Sequence, residues 1–177
     1  MHERSDEALM QAWAGGSMAA FEQLYERYRG PLYRYILRLA GNEVTANDLY
    51  QGCWEKVIRA RRRYRPAAPF RAWLFRIARN HVVDHYRRER PSAELREEQL
   101  ESNNPGPDVA LAEQGREMDL RQAVDTLPDE QRDFLLLKLE AGIELQTIAD
   151  ISGIGRETAK SRLRYALAKL RKTLEET

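Results

Sequence analysis

The chain has 177 residues, 42% of them hydrophobic and 32% charged, enough apolar side chains for one ordinary domain or two small ones. No apolar run exceeds four residues, Phe134-Leu135-Leu136-Leu137 being one of that length, which excludes a membrane-spanning helix. One cysteine, Cys53, excludes a disulfide framework and a cysteine-rich zinc module.

The N-terminus, Met1-His2-Glu3-Arg4-Ser5-Asp6-Glu7, has no basic segment followed by an apolar one, so a signal peptide is not expected. The expectation is a reduced, soluble, cytoplasmic protein. The net charge of +1 conceals an uneven distribution. Residues 56–90 carry twelve basic and two acidic side chains, residues 91–133 carry four and twelve, and residues 156–172 carry seven and one. Two basic blocks separated by an acidic stretch point to two contacts with a polyanion.

Apolar residues recur at three- and four-residue spacing and β-branched alternation is absent, so the predicted fold is all-α. A first helix is predicted over Asp6–Ala14, ending at Gly15-Gly16. The next runs from Ser17 to Arg29, and Gly30-Pro31 is expected to break or kink it before Leu32–Ala40. Gly41 reads as a C-cap. Thr45 to Asp48 has the form of a helix start, with the helix continuing to Arg63. A proline-braced loop then leads to a helix over Phe70–Arg88, closed by Pro91.

Residues 91–107 have the acidic, Pro/Gly/Asn-containing composition of a linker, which divides the chain into 1–90, the linker, and 108–177. Helices are predicted over Asp108–Thr126, from Pro128 to Ala141, over Leu145–Ile151 and over Arg156–Leu174. The last two flank Ser152-Gly153-Ile154, with Ala149 small where they cross, which is the pattern of a helix-turn-helix. Ile148, Ile154, Ala159 and Leu163 supply its core. Arg156 and Thr158 open the final helix, and Lys160, Ser161 and Arg164 share its exposed face, the side-chain types that major-groove readout needs.

A second cationic segment differs in kind. Arg61, Arg62, Arg63 and Arg65 alternate with Tyr64 and Phe70 around the loop, the combination that single-strand binders use to hold phosphates and unstacked bases. Two other classes fit part of this pattern. A regulator dimerising through its N-terminal helices leaves the arginine-aromatic loop without a purpose, and a pure interaction protein leaves the basic final helix without one.

The chain resembles the bacterial sigma factors of the sigma-70 family, extracytoplasmic-function (ECF) group. Asp48-Leu49-Tyr50-Gln51 resembles their region 2.2. The run Phe70-Arg-Ala-Trp-Leu-Phe-Arg-Ile-Ala-Arg-Asn80, with Val83-Asp-His-Tyr-Arg-Arg88, resembles regions 2.3 and 2.4. Leu127-Pro-Asp-Glu-Gln-Arg132, the helix-turn-helix and Thr158-Ala-Lys-Ser-Arg-Leu163 resemble region 4. The chain departs from the family pattern at Gly52, where an acidic residue is usual, and at Gly155, Glu157 and Ala159.

The resemblance implies a protein that binds core RNA polymerase and directs it to promoter DNA. It assigns reading of the −35 duplex to Arg156, Thr158, Lys160, Ser161, Arg162 and Arg164. It assigns −10 reading and melting to Arg61, Arg62, Arg63, Tyr64, Arg65, Phe70, Asn80 and Asp84. Polymerase docking falls to Asp48, Gln51, Glu55 and Arg59. An anti-sigma protein is left open as a further partner.

Catalysis is not expected. His81 and His85 have a metal-sharing spacing, but Val82 stands where a zincin carries glutamate, so no metal or cofactor is assigned. Asp84 and Glu89 lie among arginines, and no phosphate-binding or nucleophile-elbow motif is present, so no small-molecule substrate is expected. Cys53 beside Trp54 reads as a core thiol.

Overall fold

The computed structural model describes residues 4–89 and 120–175, and every regular element among them is a helix. The first body contains α1 (Asp6–Ala14), α2 (Met18–Ala40), α3 (Glu43–Ala60), a 3₁₀ turn (Arg61–Arg63) and α4 (Phe70–Glu89). The second contains α5, described over 120–125, α6 (Asp129–Leu139), α7 (Leu145–Ser152) and α8 (Arg156–Glu175). The expected linker 91–107 and the start of the helix predicted from Asp108 lie outside the described residues.

Three predicted boundaries are corrected. Helix α2 runs unbroken through Gly30-Pro31. Proline inside a helix costs about 3 kcal/mol, but Leu24, Tyr28, Leu32, Tyr35 and Ile36 form one buried stripe that crosses it. Each such side chain contributes about 1.5–3 kcal/mol on burial, so packing outweighs the break. Helix α3 begins at Glu43 and not near Thr45, because Asn42 is its N-cap and accepts from the Thr45 amide at 2.9 Å. It ends at Ala60, and Arg61–Arg63 form the separate 3₁₀ turn. Gly41 caps α2 in the left-handed conformation (φ 74°), as expected.

Helix α1 orients α4. Glu7 Oε1 accepts from the Phe70 amide at 3.0 Å, satisfying a backbone donor at the start of α4. Asp6 accepts from Arg27 at 2.6 Å and from the Tyr28 hydroxyl. Burial and the Asp6 hydrogen bond push the Tyr28 phenol up to about 12.

Helix α6 joins the two bodies. Phe134, Leu135, Leu136 and Leu137 are all buried, which a helix allows only when it is covered on more than one side. On one side Arg162 of α8 lies over the Phe134 ring at 5.4 Å. On the other, Asp133 faces the first body, where its carboxylate accepts from the Tyr35 hydroxyl at 2.7 Å and from Arg79 Nε at 2.6 Å. Two turns on, Glu140 pairs with Arg34 at 2.7 Å. Asp133 is the one charged side chain that is buried among the described residues. Removing one partner of a buried ion pair typically costs about 3–5 kcal/mol, because the survivor stays desolvated. Burial and the neighbouring Asp133 hold the Tyr35 phenol well above its ordinary pKa.

Gly52 lets α4 approach α3. A Cβ there would lie 2.6 Å from His81 Nε2. Alanine in place of glycine in a helix is otherwise worth about 0.5–1 kcal/mol. Gly52→Ala should therefore stabilise by about that amount in a His81→Ala background, and the gain should vanish with His81 present. Urea denaturation of the four proteins measures the coupling.

Candidate nucleic-acid interface

The second body presents a helix-turn-helix. Gly153 closes α7 at φ 67°, its amide donating to the carbonyls of Ala149 and Asp150. Ile148 and Ala149 of α7 and Ala159, Ala166 and Leu170 of α8 are buried. The opposite face of α8 exposes Arg156, Thr158, Lys160 and Arg164, with Ser161 half-buried beside them. Arg156, Lys160 and Arg164 follow one another at four-residue steps, and none has an acidic partner among the described residues.

Arg162 corrects the expected set. It is turned toward α6, pairs with Glu130 at 2.8 Å and covers Phe134. Its chemistry is that of a brace within the second body. Arg132 and Lys169 brace it further, donating at 2.6 Å to the Asp125 carbonyl and at 2.9 Å to the Thr126 carbonyl. Tyr165, exposed and 5.3 Å from the Arg164 guanidinium, adds an aromatic surface to the α8 face.

The loop before α4 divides its labour. Tyr64 and Phe70, expected to touch a separated strand, are only 6% and 0% exposed as residues. Phe70 packs edge-on against Tyr28 at 5.3 Å, and Tyr64 against Trp73 at 5.3 Å. The Tyr64 hydroxyl donates to the Ala68 carbonyl at 2.8 Å. These rings anchor the base of the loop, and residues 65–69, Arg65 among them, stand exposed above it. Arg62 and Arg63 are exposed and Arg61 is half-buried.

Along α4, Arg76, Asn80, Asp84 and Arg87 form one exposed stripe continuing from that loop. Arg76 and Arg87 were not among the expected residues. Their helical spacing from Asn80 was the available signal, and neither has an ion-pair partner among the described residues. His81 and His85 sit beside the stripe. Burial, with Lys56, Arg88 and His85 nearby, lowers the His81 pKa, and His85 lies 3.3 Å from Glu89.

Helix α3 exposes Asp48, Gln51, Glu55 and Arg59, the last two 3.7 Å apart. Val44 and Ile58, not anticipated, are 76% and 40% exposed on the same side. Val44, Asp48, Gln51, Glu55 and Ile58 thus recur at steps of four, three, four and three. Cys53 and Trp54 are buried behind this stripe, and burial pushes the Cys53 thiol up to about 12.

The family model for sigma-70 region 2 matches residues 24–91 and that for sigma-70 region 4 matches residues 123–172. Over 173 residues the chain is 34% identical to the ECF RNA polymerase sigma factor SigL of Mycobacterium tuberculosis, spanning 92% of this chain and 93% of SigL. The chain belongs to the ECF sigma factors. This ECF sigma factor is also 30% identical over 169 residues to the RNA polymerase sigma factor CarQ of Myxococcus xanthus, spanning 94% and 96% of the two chains.

Its fold is similar to CnrH, solved with the cytosolic domain of CnrY, at a TM-score of 0.72, 24% identity and coverage of 98% and 99%. It is likewise similar to RpoE of Bartonella quintana, solved with the anti-sigma factor NepR, at 0.68, 23% identity and coverage of 88% and 96%.

Because Tyr64 holds the loop through one partly buried hydrogen bond, worth about 1 kcal/mol, Tyr64→Phe should speed amide exchange at Ala68 several-fold. Exchange in α2 should not change, and NMR-detected hydrogen exchange reads both.

Proposed function

We propose that this ECF sigma factor binds core RNA polymerase and directs initiation at promoters through residues 1–90 and 108–177, joined by the linker 91–107. Duplex reading at −35 falls to Arg156, Thr158, Lys160, Ser161 and Arg164. The observation that carries the reading is the pairing of this exposed helix-turn-helix face with a second, loop-borne cationic face on the same chain. A regulator that only binds duplex DNA has no use for the second face.

At −10, Arg61, Arg62, Arg63 and Arg65 hold phosphates of the separated strand, a salt-dependent and sequence-blind contribution. Loop residues 65–69 and Asn80 contact an unstacked base, with Arg76, Asp84 and Arg87 extending the surface. Opening costs a few kcal/mol per unstacked base, and these contacts offset it. Tyr64 and Phe70 serve this step by holding the loop in place.

The α3 stripe docks on polymerase. Steps of four and three match a helix laid along a coiled coil, with Val44 and Ile58 as apolar ends and Asp48, Gln51 and Glu55 between them. Arg59 lies at its rim. An anti-sigma protein, the class that accompanies the similar Bartonella quintana chain, is the further partner proposed.

Replacing Lys160 and Arg164 together with alanine should weaken −35 duplex binding and lower the salt dependence of log K by about two. Arg162→Ala should lower the melting temperature and leave that slope unchanged. A slope unaffected by the double replacement would remove α8 as the reader.

Strand opening is tested with a promoter mismatched across its −10 element. A variant carrying Arg62→Ala and Arg63→Ala should lose transcription on duplex template and recover at least part of it on the mismatched one. Parental activity on the duplex would contradict the melting role. Asp48→Arg should compete poorly for core polymerase while melting at the parental temperature.

A further inference from the structure

Helix α4 begins without a cap of its own. The amides of a helix's first turn have no partner inside it, and Ser, Thr, Asp or Asn usually serves just before the helix. Here the preceding residues are Pro66-Ala67-Ala68-Pro69, none of which can. The Phe70 amide is taken instead by Glu7 Oε1 at 3.0 Å, from a residue 63 positions earlier in the chain. A carboxylate at a helix N-terminus also suits the helix dipole.

Glu7 serves the whole loop, because the two ends of the loop meet beside it. Tyr64 enters the loop and Phe70 leaves it, their ring centroids 6.2 Å apart. Burial, with the charges of Glu7 and Asp6 adding to it, raises the Tyr64 pKa, so both carboxylates lie near that end too. Helix α1 delivers Glu7 rigidly. Ser5 caps α1, Leu9, Met10 and Trp13 are buried, and Asp6 is held by Arg27 and Tyr28. An acidic first turn is itself unsuited to a phosphate backbone, so any effect of Glu7 on nucleic acid has to pass through the loop.

We infer that Glu7 is a positioning residue for strand opening, capping α4 from α1 so that loop 65–69 is already shaped to receive an unstacked base. The inference rests on the −10 reading proposed above. A loop that had to be ordered on binding would lose part of its contact energy as conformational entropy, and less would remain to offset unstacking. The Tyr64 hydroxyl fixes one end through the Ala68 carbonyl, and Glu7 fixes the other. Neither contact involves α8 or the α3 stripe, so losing the second should impair opening alone. A carboxylate that only stabilised the fold would affect open and closed templates alike.

Replacements at Glu7 in the full chain separate these roles. Alanine removes the acceptor, whereas glutamine keeps a side-chain oxygen that can accept from a backbone amide. With core polymerase and a duplex promoter selected by the parental holoenzyme, Glu7→Ala should lower run-off transcription about fivefold. On the same promoter mismatched across its −10 element, most of that loss should be recovered. Glu7→Gln should stay within about twofold of the parent on both templates. Amide exchange at Phe70 should speed about fivefold in Glu7→Ala and not in Glu7→Gln. Binding to a −35 duplex fragment and competition for core polymerase should not change in either. Should alanine unfold the chain, Glu7→Asp decides by the same comparison, since it keeps the charge in the first turn of α1 and ends one methylene short of the Phe70 amide.

Parental transcription of the duplex by Glu7→Ala, equal impairment on both templates, or a defect that glutamine fails to repair would overturn the positioning role. The Arg62→Ala, Arg63→Ala variant is run beside it. If that variant recovers on the mismatched template and Glu7→Ala does not, this inference alone fails. If neither recovers, the −10 reading fails and takes the inference with it.

Discussion

A buried carboxylate must be paired, and in this protein that requirement fixes the relation of the two helical bodies. Asp133 sits on α6 with all of Phe134–Leu137 buried behind it, and its partners come from α2 and α4. Once α6 is set by that pairing, α8 packs on its other side through Phe134 and Arg162. The cationic face of α8 is then left outward. The same geometry leaves the Arg76–Arg87 stripe of α4 outward while its inner side holds Arg79 against Asp133.

Within each body the division between scaffold and contact follows from solvation. Arg62, Arg63, Arg76, Arg87, Arg156 and Lys160 are exposed and have no acidic partner among the described residues, which leaves their charges open to an external anion. Cations of similar type that are paired or capped, such as Arg27, Arg132 and Arg162, hold backbone or carboxylate oxygens and keep the helices in register. Aromatics divide in the same way. Tyr64 and Phe70 are spent on the loop's foundation, and Tyr165 is left on the surface.

Much of this was legible in the sequence. Helical periodicity gave the all-α fold, Gly153 the helix-turn-helix, and charge distribution the two cationic blocks. The less legible features depend on long-range contact. Pro31 reads locally as a break, and only the buried stripe from Leu24 to Ile36 shows why α2 continues. Asn42 outcompetes Thr45 as a cap through a single side-chain bond. Alternating arginines and aromatics cannot say which rings are foundation, because a tyrosine beside a loop suits either place. The pairing of Asp133 with Tyr35 and Arg79, 98 and 54 residues away, has no local signature at all.

The central claim is that one chain supplies core polymerase with two promoter-reading faces. The most direct measurement is mapping of RNA 5′ ends from genomic DNA transcribed in vitro by core polymerase, with and without this protein. The account predicts new start sites that appear only with the protein and share two upstream sequence elements at a fixed separation. An unchanged set of start sites, from a protein that still binds both core polymerase and DNA, would contradict it.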